Sequence, residues 1–282
     1  MQVGLAGAGL LGSALAERFA TAGFAVTVFD PNPIRLPALE SMGCRIAASV
    51  TEAAQFGDLV VFSLPDSKVS AAVLDQIRPV WRQEQILIDT TTGDPVEMRE
   101  MSQGIQRYID ATVAGSSDQV RAREVVVLAG GAAADVQEAA PLFDTFAERT
   151  FHVGGRGAGA SMKLIVNLVL GLHRAVLAEG LTLARAMDLD PEMTLEVLRA
   201  SPAYSVAMDR KGAKMLHRDW SPEARLRQHH KDVRLILAEA ERHHVALPLS
   251  ELHDRLLSRA EELGFGDADN SAILEAFLAA QR

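Results

Sequence analysis

The chain of 282 residues has a single cysteine, Cys44. One thiol cannot close an intrachain disulfide, and it cannot build a zinc site from several cysteines. Cys44 stands apart from every motif described below, which marks it as a small buried or half-buried residue. Basic residues are also short: 28 Lys and Arg against 37 Asp and Glu leave a formal net charge of −9. Phosphate backbones are bound by basic patches, so nucleic acid is not an expected partner. Local potential in a cleft can oppose the net charge, so small anionic substrates stay open. No basic stretch and apolar run precede the first strand-like residues, so no secretory signal is expected and the cytoplasm is the expected location. Charged residues interrupt the apolar runs, so no membrane partner is expected.

What is present is an ordinary globular composition, 48% hydrophobic and 23% charged, long enough for two modest domains. Apolar strand-like runs at Val3–Ala6, Ala25–Phe29, Leu59–Leu64, Ile86–Ile88, Tyr108–Ala111 and Val125–Ala129 alternate with helical patterns at Leu10–Ala22, Val69–Ile77, Pro95–Met101 and Pro141–Phe146. That alternation predicts a mostly parallel sheet with helices on both faces. After Gly154-Gly155-Arg156-Gly157-Ala158-Gly159 a long helical pattern runs from Ser161 to Met187, and only helices follow. The expected fold is therefore α/β: an N-terminal Rossmann doubly wound domain, residues 1–156, joined by a long helix to an all-α C-terminal domain, residues 157–282. The long helix is more apolar than a surface helix, which predicts burial between domains or subunits and a homodimer or homotetramer.

Gly7-Ala8-Gly9-Leu10-Leu11-Gly12 fits G-x-G-x-x-G after a strand and at the opening of a helix. Gly7 permits the tight turn, Gly9 lets the backbone approach a pyrophosphate, and Gly12 allows close helix–strand packing at a positive helix end. Asp30 ends the second strand roughly 20 residues on, where a carboxylate bonds the ribose hydroxyls of NAD and repels a ribose phosphate. NAD is the expected cofactor, with NADP kept open by Arg35 on the following loop.

Further segments occur in a telling order: Leu64-Pro65-Asp66-Ser67, Asp89-Thr90-Thr91-Thr92-Gly93-Asp94-Pro95, Asp110-Ala111-Thr112-Val113-Ala114-Gly115-Ser116, Gly157 to Asn167, and Lys231-Asp232-Val233-Arg234-Leu235. In this order they resemble the β-hydroxyacid dehydrogenase family, which includes 3-hydroxyisobutyrate dehydrogenase and, more distantly, 6-phosphogluconate dehydrogenase. The resemblance implies that Leu64, Pro65 and Thr92 line the nicotinamide side of the cofactor site and that Lys163 is the catalytic lysine. It further implies that Asn167 holds the substrate, that Lys231 reaches cofactor and substrate, and that Ala114, Gly115 and Ser116 form the substrate loop. The activity it implies is hydride transfer between a short, carboxylate-bearing hydroxy acid and its aldehyde or semialdehyde, with Lys163 as general acid and base.

The residues agree with that reading. Lys163 and Asn167 are one turn apart on an otherwise apolar helix, so they face the same way. An ammonium there is costly unless it has a task. The loop departs from the family's Asp-Ala-Pro-Val-Ser-Gly-Gly: Thr112 replaces proline, Ala114 serine and Ser116 the second glycine. Ala114 removes a hydroxyl donor, Ser116 offers another, and its Cβ is expected to restrict the loop. Two alternatives remain: an imine reductase-like enzyme, and a cofactor-binding protein without turnover. No metal site is expected. The adjacent pairs His229-His230 and His243-His244 diverge by about 100° on a helix and are expected as surface or capping residues.

Overall fold

The computed structural model describes residues 1–279. The chain forms two compact units, the first Met1–Lys163 and the second beginning at Leu164.

In the first unit, eight strands make one sheet: β1 (Gln2–Ala6), β2 (Ala25–Phe29), β3 (Arg45–Ile46), β4 (Leu59–Phe62), β5 (Ile86–Asp89), β6 (Tyr108–Ala114), β7 (Val125–Gly130) and β8 (Ala147–Gly154). Their order is β3-β2-β1-β4-β5-β6-β7-β8, and every neighbouring pair is parallel except β6 with β7. Seven helices accompany them: α1 (Leu10–Thr21), α2 (Leu36–Ser41), α3 (Val50–Phe56), α4 (Ser67–Ile77), α5 (Pro95–Met101), α6 (Ser117–Ala122) and α7 (Ala133–Phe143). Successive strand residues point to opposite faces, and both faces are covered. Val3, Leu5, Val28, Val61 and Ile88 pack in one core with Phe19, Phe143 and Phe146. Val60, Phe62, Leu87 and Tyr108 pack in the other with Leu74, Ile77 and Met98. This double burial is why the strands read as continuous apolar runs. The result is the expected doubly wound sheet, with its order reversing between β1 and β4.

Some elements differ from expectation. The helix expected at Pro141–Phe146 is α7, which starts at Ala133 and carries Pro141 inside its last turns. The edge strand β8 was not foreseen. Its residues are mostly half-exposed or exposed, so it has neither a core run nor a clean alternation. Cys44 is buried.

The long helix is α8 (Ala158–Ala186), followed by α9 (Pro191–Ala200), α10 (Val206–His217), α11 (Leu226–Arg242), α12 (Pro248–Glu262) and α13 (Leu274–Ala279). The second unit has its own core, including Leu177, Leu181, Leu195, Met215, Val233, Leu257 and Leu274. By length and composition alone α8 is apolar enough to cross a membrane, contrary to the sequence expectation. Its polar residues Lys163, Asn167 and Arg174 are nevertheless buried, as in the core helix of a globular fold. The expected division at 156/157 lies just before α8, whereas the compact units divide within it.

The start of α8 is tied to the sheet. The carboxylate of Asp110 on β6 accepts hydrogen bonds from the backbone N–H of Gly157 at 2.7 Å and of Ala160 at 2.8 Å. Thr112 donates its hydroxyl to the Gly159 carbonyl at 3.0 Å. The helix lies so close that a Cβ on Gly159 would sit 2.3 Å from the Asp110 carbonyl oxygen and 2.5 Å from that of Leu128. Both obstacles are backbone, so they cannot swing aside. Gly159→Ala is therefore expected to destabilise the protein by about 3 kcal/mol, read as a lowered urea midpoint. An unchanged midpoint would contradict this packing.

Candidate active site

The first turn after β1 is built from backbone. Gly7 has φ +99°, and a Cβ there would meet the Ser63 carbonyl oxygen at 2.3 Å. A Cβ on Gly12 would meet the Gly7 carbonyl oxygen at 2.1 Å, whereas Gly9 opens onto free space. Gly9 caps α1 without any side-chain bond, so the positive end of the helix faces that space. Leu10 is exposed and Leu11 half-buried at the same end. Asp30 closes the turn from the end of β2: its carboxylate accepts from Ala8 N at 2.6 Å and from Asn32 N at 2.7 Å. A cradle open only at Gly9, with a helix N-terminus below it and a carboxylate at its side, fits the pyrophosphate and ribose of a dinucleotide.

Along the same carboxyl edge of the sheet, Thr91 organises the next loops. Its hydroxyl accepts from Leu64 N at 3.1 Å, and its N–H donates to Asp89 at 2.9 Å. Leu64, Pro65 and Thr92 are thereby placed by β4 and β5 and stay half-buried or exposed at that edge. In the loop after β6, a Cβ on Gly115 would come within 2.4 Å of Val125 Cγ1. Ser116 does not restrict the loop as expected; its backbone is extended at φ −88°. Its hydroxyl accepts from Gln119 N, and the Gln119 side chain accepts from Ser116 N, a complete capping box for α6. Ala114 has no hydroxyl, whereas the Ser116 hydroxyl accepts in the capping box and keeps its proton to donate.

Lys163 and Asn167 are both buried, at 9% and 8% exposure. They share a face of α8 one turn apart. In the second unit, Asp232 on α11 joins two expected site residues. It accepts from Asn167 Nδ2 at 2.9 Å and lies 3.4 Å from Lys231 Nζ. The adjacency of Lys231 and Asp232 was visible in the sequence; the bond to Asn167 was not, because it joins positions 65 residues apart.

The histidines are where the sequence reading is corrected. His229 and His230 are buried, not at the surface. The buried positions of α11 are Leu226, His229, His230, Asp232, Val233 and Ile236, which follow the period of a buried helix face, so both rings follow the apolar residues inward. His230 Nε2 is paired with Asp254 at 2.9 Å, and its Nδ1 lies 3.2 Å from Glu261. Arg225 and Arg227 are exposed and pair with Asp267.

Comparison with known proteins supports the same assignment over the full length. Residues 2–154 match the family model of the NAD binding domain of 6-phosphogluconate dehydrogenase. Residues 157–277 match that described as NAD-binding of NADP-dependent 3-hydroxyisobutyrate dehydrogenase. Glyoxylate/succinic semialdehyde reductase 1 of Arabidopsis thaliana is 29% identical, covering 98% of each chain. 2-(Hydroxymethyl)glutarate dehydrogenase of Eubacterium barkeri is 25% identical, over 98% of this chain and 94% of that one. The solved structure of 3-hydroxyisobutyrate dehydrogenase from Mycobacterium tuberculosis with L-serine superposes at a TM-score of 0.89 with 22% identity, over 98% of this chain and 99% of that one.

Asp89 and Asp110 face each other in register across β5 and β6 and are wholly buried. Burial, the largest cause, lifts each carboxyl to about 6, against the pull of the hydrogen bonds each accepts. A carboxyl whose folded value lies above its unfolded value of about 3.9 favours the fold when protonated. That stabilisation is complete below about pH 4 and is lost as pH rises through about 6. Asp89→Asn removes the buried charge and keeps an acceptor for Thr91. It is expected to raise the melting temperature relative to the parent at pH 7.5 and to lose that advantage at pH 4.5. The same difference at both pH values would contradict this.

Proposed function

Because the chain belongs to the β-hydroxyacid dehydrogenase family and is an NAD(P)-dependent oxidoreductase acting on CH–OH groups, we propose that it interconverts a short hydroxy acid and its aldehyde or semialdehyde, with Lys163 carrying the proton. The observation that carries this reading is the pair Lys163 and Asn167. Both are buried on one face of a helix whose first turn is fixed by Asp110. Residues 1–156 hold the cofactor, and residues 157–282 supply substrate recognition and subunit contact.

The residues suited to the cofactor are Gly7, Gly9 and Gly12 at the pyrophosphate, Asp30 at the ribose, and Leu64, Pro65 and Thr92 beside the nicotinamide. When bound, the nicotinamide supplies or takes up the hydride. Lys163 Nζ protonates the carbonyl oxygen as the C–H bond forms, and in the reverse direction it takes the hydroxyl proton. Asn167 is held by Asp232 and directs its remaining N–H to the same oxygen, which stabilises developing negative charge there. Lys231, beside Asp232, adds positive charge to that site. Ala114, Gly115 and Ser116 are the substrate loop of this reading. The carboxylate of Asp30 favours NAD over NADP. Succinic semialdehyde and glyoxylate, named for the Arabidopsis relative, are the first substrates to test.

One face of α8 leaves Ile165, Val169, Val176, Leu183 and Met187 exposed by 57%, 44%, 64%, 60% and 60% in the single chain. Their spacing is that of one helical stripe. A homodimer or homotetramer that covers this stripe is part of the same reading. Val176→Glu with Leu183→Glu is expected to shift the mass by light scattering toward the monomer, and a monomeric parent protein would overturn the assignment.

Lys163→Ala is expected to lower turnover of these aldehyde acids by about a thousandfold while leaving NADH affinity unchanged by fluorescence titration. NADH is expected to be oxidised faster than NADPH. Undiminished turnover in the variant would remove Lys163 from the mechanism.

A further inference from the structure

Asp110 is fully buried on β6, in the compact unit that also contains Lys163. Its Oδ1 accepts from Gly157 N and its Oδ2 from Ala160 N, so both oxygens are committed to the start of α8. Hydrogen bonds to a carboxylate are roughly twice as strong as neutral ones. Glycines enclose the group: a Cβ on Gly130 would stand 2.7 Å from Oδ1, and one on Gly159 would stand 2.9 Å from Oδ2. Lys163 comes three residues after Ala160, about 4.5 Å along the helix axis. The carboxylate therefore fixes the stretch of backbone that carries the ammonium.

Charge at this position works against the fold. Burial, with a smaller contribution from the charge of Asp89, lifts the Asp110 carboxyl to about 6 against the pull of Ala160 and Gly157. On protonation one oxygen becomes a hydroxyl, which must place its own proton, and the attraction to the positive end of α8 is lost. Asp89, in register on β5, is the ionisable neighbour whose charge reaches Asp110. Tyr108 on β6 stays a neutral phenol, because burial raises its proton affinity. Arg156, ahead of α8, lies 6.0 Å from the Tyr108 ring centroid and donates to the carbonyls of Ser102, Ile105 and Gln106. Arg99 of α5 lies against Gly157. β7 brings Gly130 and Leu128, which do not titrate, and His152 of β8 turns its Nε2 to the Gly131 carbonyl. A group whose working charge costs stability is the pattern of a functional constraint.

We propose that Asp110 is the positioning residue of Lys163: as a carboxylate it locks the turn that leads into the lysine, and proton uptake by the Asp89–Asp110 pair releases that turn and lowers turnover. The acid limb of the reaction then reports on a group that never touches the substrate. As pH falls through this range, the pair's contribution to stability rises while turnover drops, because protonation relieves the buried charge and loosens the turn together. Thr112 supplies a second tie, its hydroxyl to the Gly159 carbonyl, that does not titrate. This inference rests on the reductase reading above and adds its control by pH.

The test reads the turn without substrate and then reads turnover. The ¹H–¹⁵N signals of Gly157 and Ala160 are followed between about pH 8 and pH 5, together with the hydrogen-exchange protection of Ser161 to Lys163. The two signals are expected to move together with a midpoint near 6, and protection is expected to fall as they move. In Asp89→Asn the shared midpoint is expected to drop by about one pH unit, because a neighbouring negative charge is gone. Turnover of succinic semialdehyde with NADH is then measured over the same range. In parent and Asp89→Asn alike, kcat is expected to fall at the midpoint the amides show, while KM for NADH stays within about threefold. Asp110→Asn cannot ionise, and it is expected to lower kcat by about a hundredfold and to remove this acid limb. Thr112→Val is expected to lower kcat with the midpoint where the parent has it.

Gly157 and Ala160 signals that do not titrate, or an acid limb that stays in place in Asp89→Asn, would each overturn the assignment. If Asp110→Asn fails to fold, the parent and Asp89→Asn decide by themselves, since both keep the Asp110 carboxylate. A protein that reduces none of the aldehyde acids, while its amides and protection titrate as described, would sink the reductase reading and keep the proton-linked turn. Turnover whose acid limb is indifferent to both aspartates would sink the positioning role alone.

Discussion

Much of this chain depends on one buried carboxylate. Asp110 sits at the sheet's carboxyl edge and accepts two backbone N–H groups from the first turn of α8. Lys163, in the same unit, follows Ala160 by three residues, so a shift or rotation of the first turn would displace it. The anchor works at close range because residue 159 is glycine and because Thr112, at the family's proline position, ties its hydroxyl to the same turn. A carboxylate near a helix N-terminus is favoured by the helix field. Its complete burial works the other way, and the balance leaves a raised affinity for protons.

A comparable economy of charge governs the second unit. Asp232 uses one carboxylate to fix an amide on α8 and to steady a lysine on its own helix. Lys211 and Asp269 pair in the interior and gather the backbone of Glu223 and Ala224. Polar groups are retained in protein interiors when hydrogen bonds satisfy them, as they do for these acids.

Legibility in the sequence followed the range of the interactions involved. The glycine turn, Asp30, the alternating strands and the long helix were legible because each is a local pattern: a turn that needs φ above zero, a carboxylate at a strand end, an apolar period. Lys163 and Asn167 were legible as a pair because four residues on a helix make one turn. The edge strand β8 was not, since its half-exposed residues carry neither an apolar run nor an alternation. The buried positions of His229 and His230 were missed because adjacency was weighed for metal binding and the inward period of α11 was not. Ser116 offered a hydroxyl in the sequence, and only the geometry of α6 shows that hydroxyl held by Gln119.

The sequence by itself determined the class of protein: an α/β dinucleotide-binding domain followed by helices, with a lysine and an asparagine at helical spacing on the first of them. Those features are local, so chain order and residue type suffice to specify them. The tertiary structure decided which charges are compensated. Asp110 meets Gly157 and Ala160 about 50 residues away, and Asp232 meets Asn167 across two helices. Whether a buried charge has a partner depends on distances of a few ångströms between segments remote in sequence. Only the folded chain sets those distances.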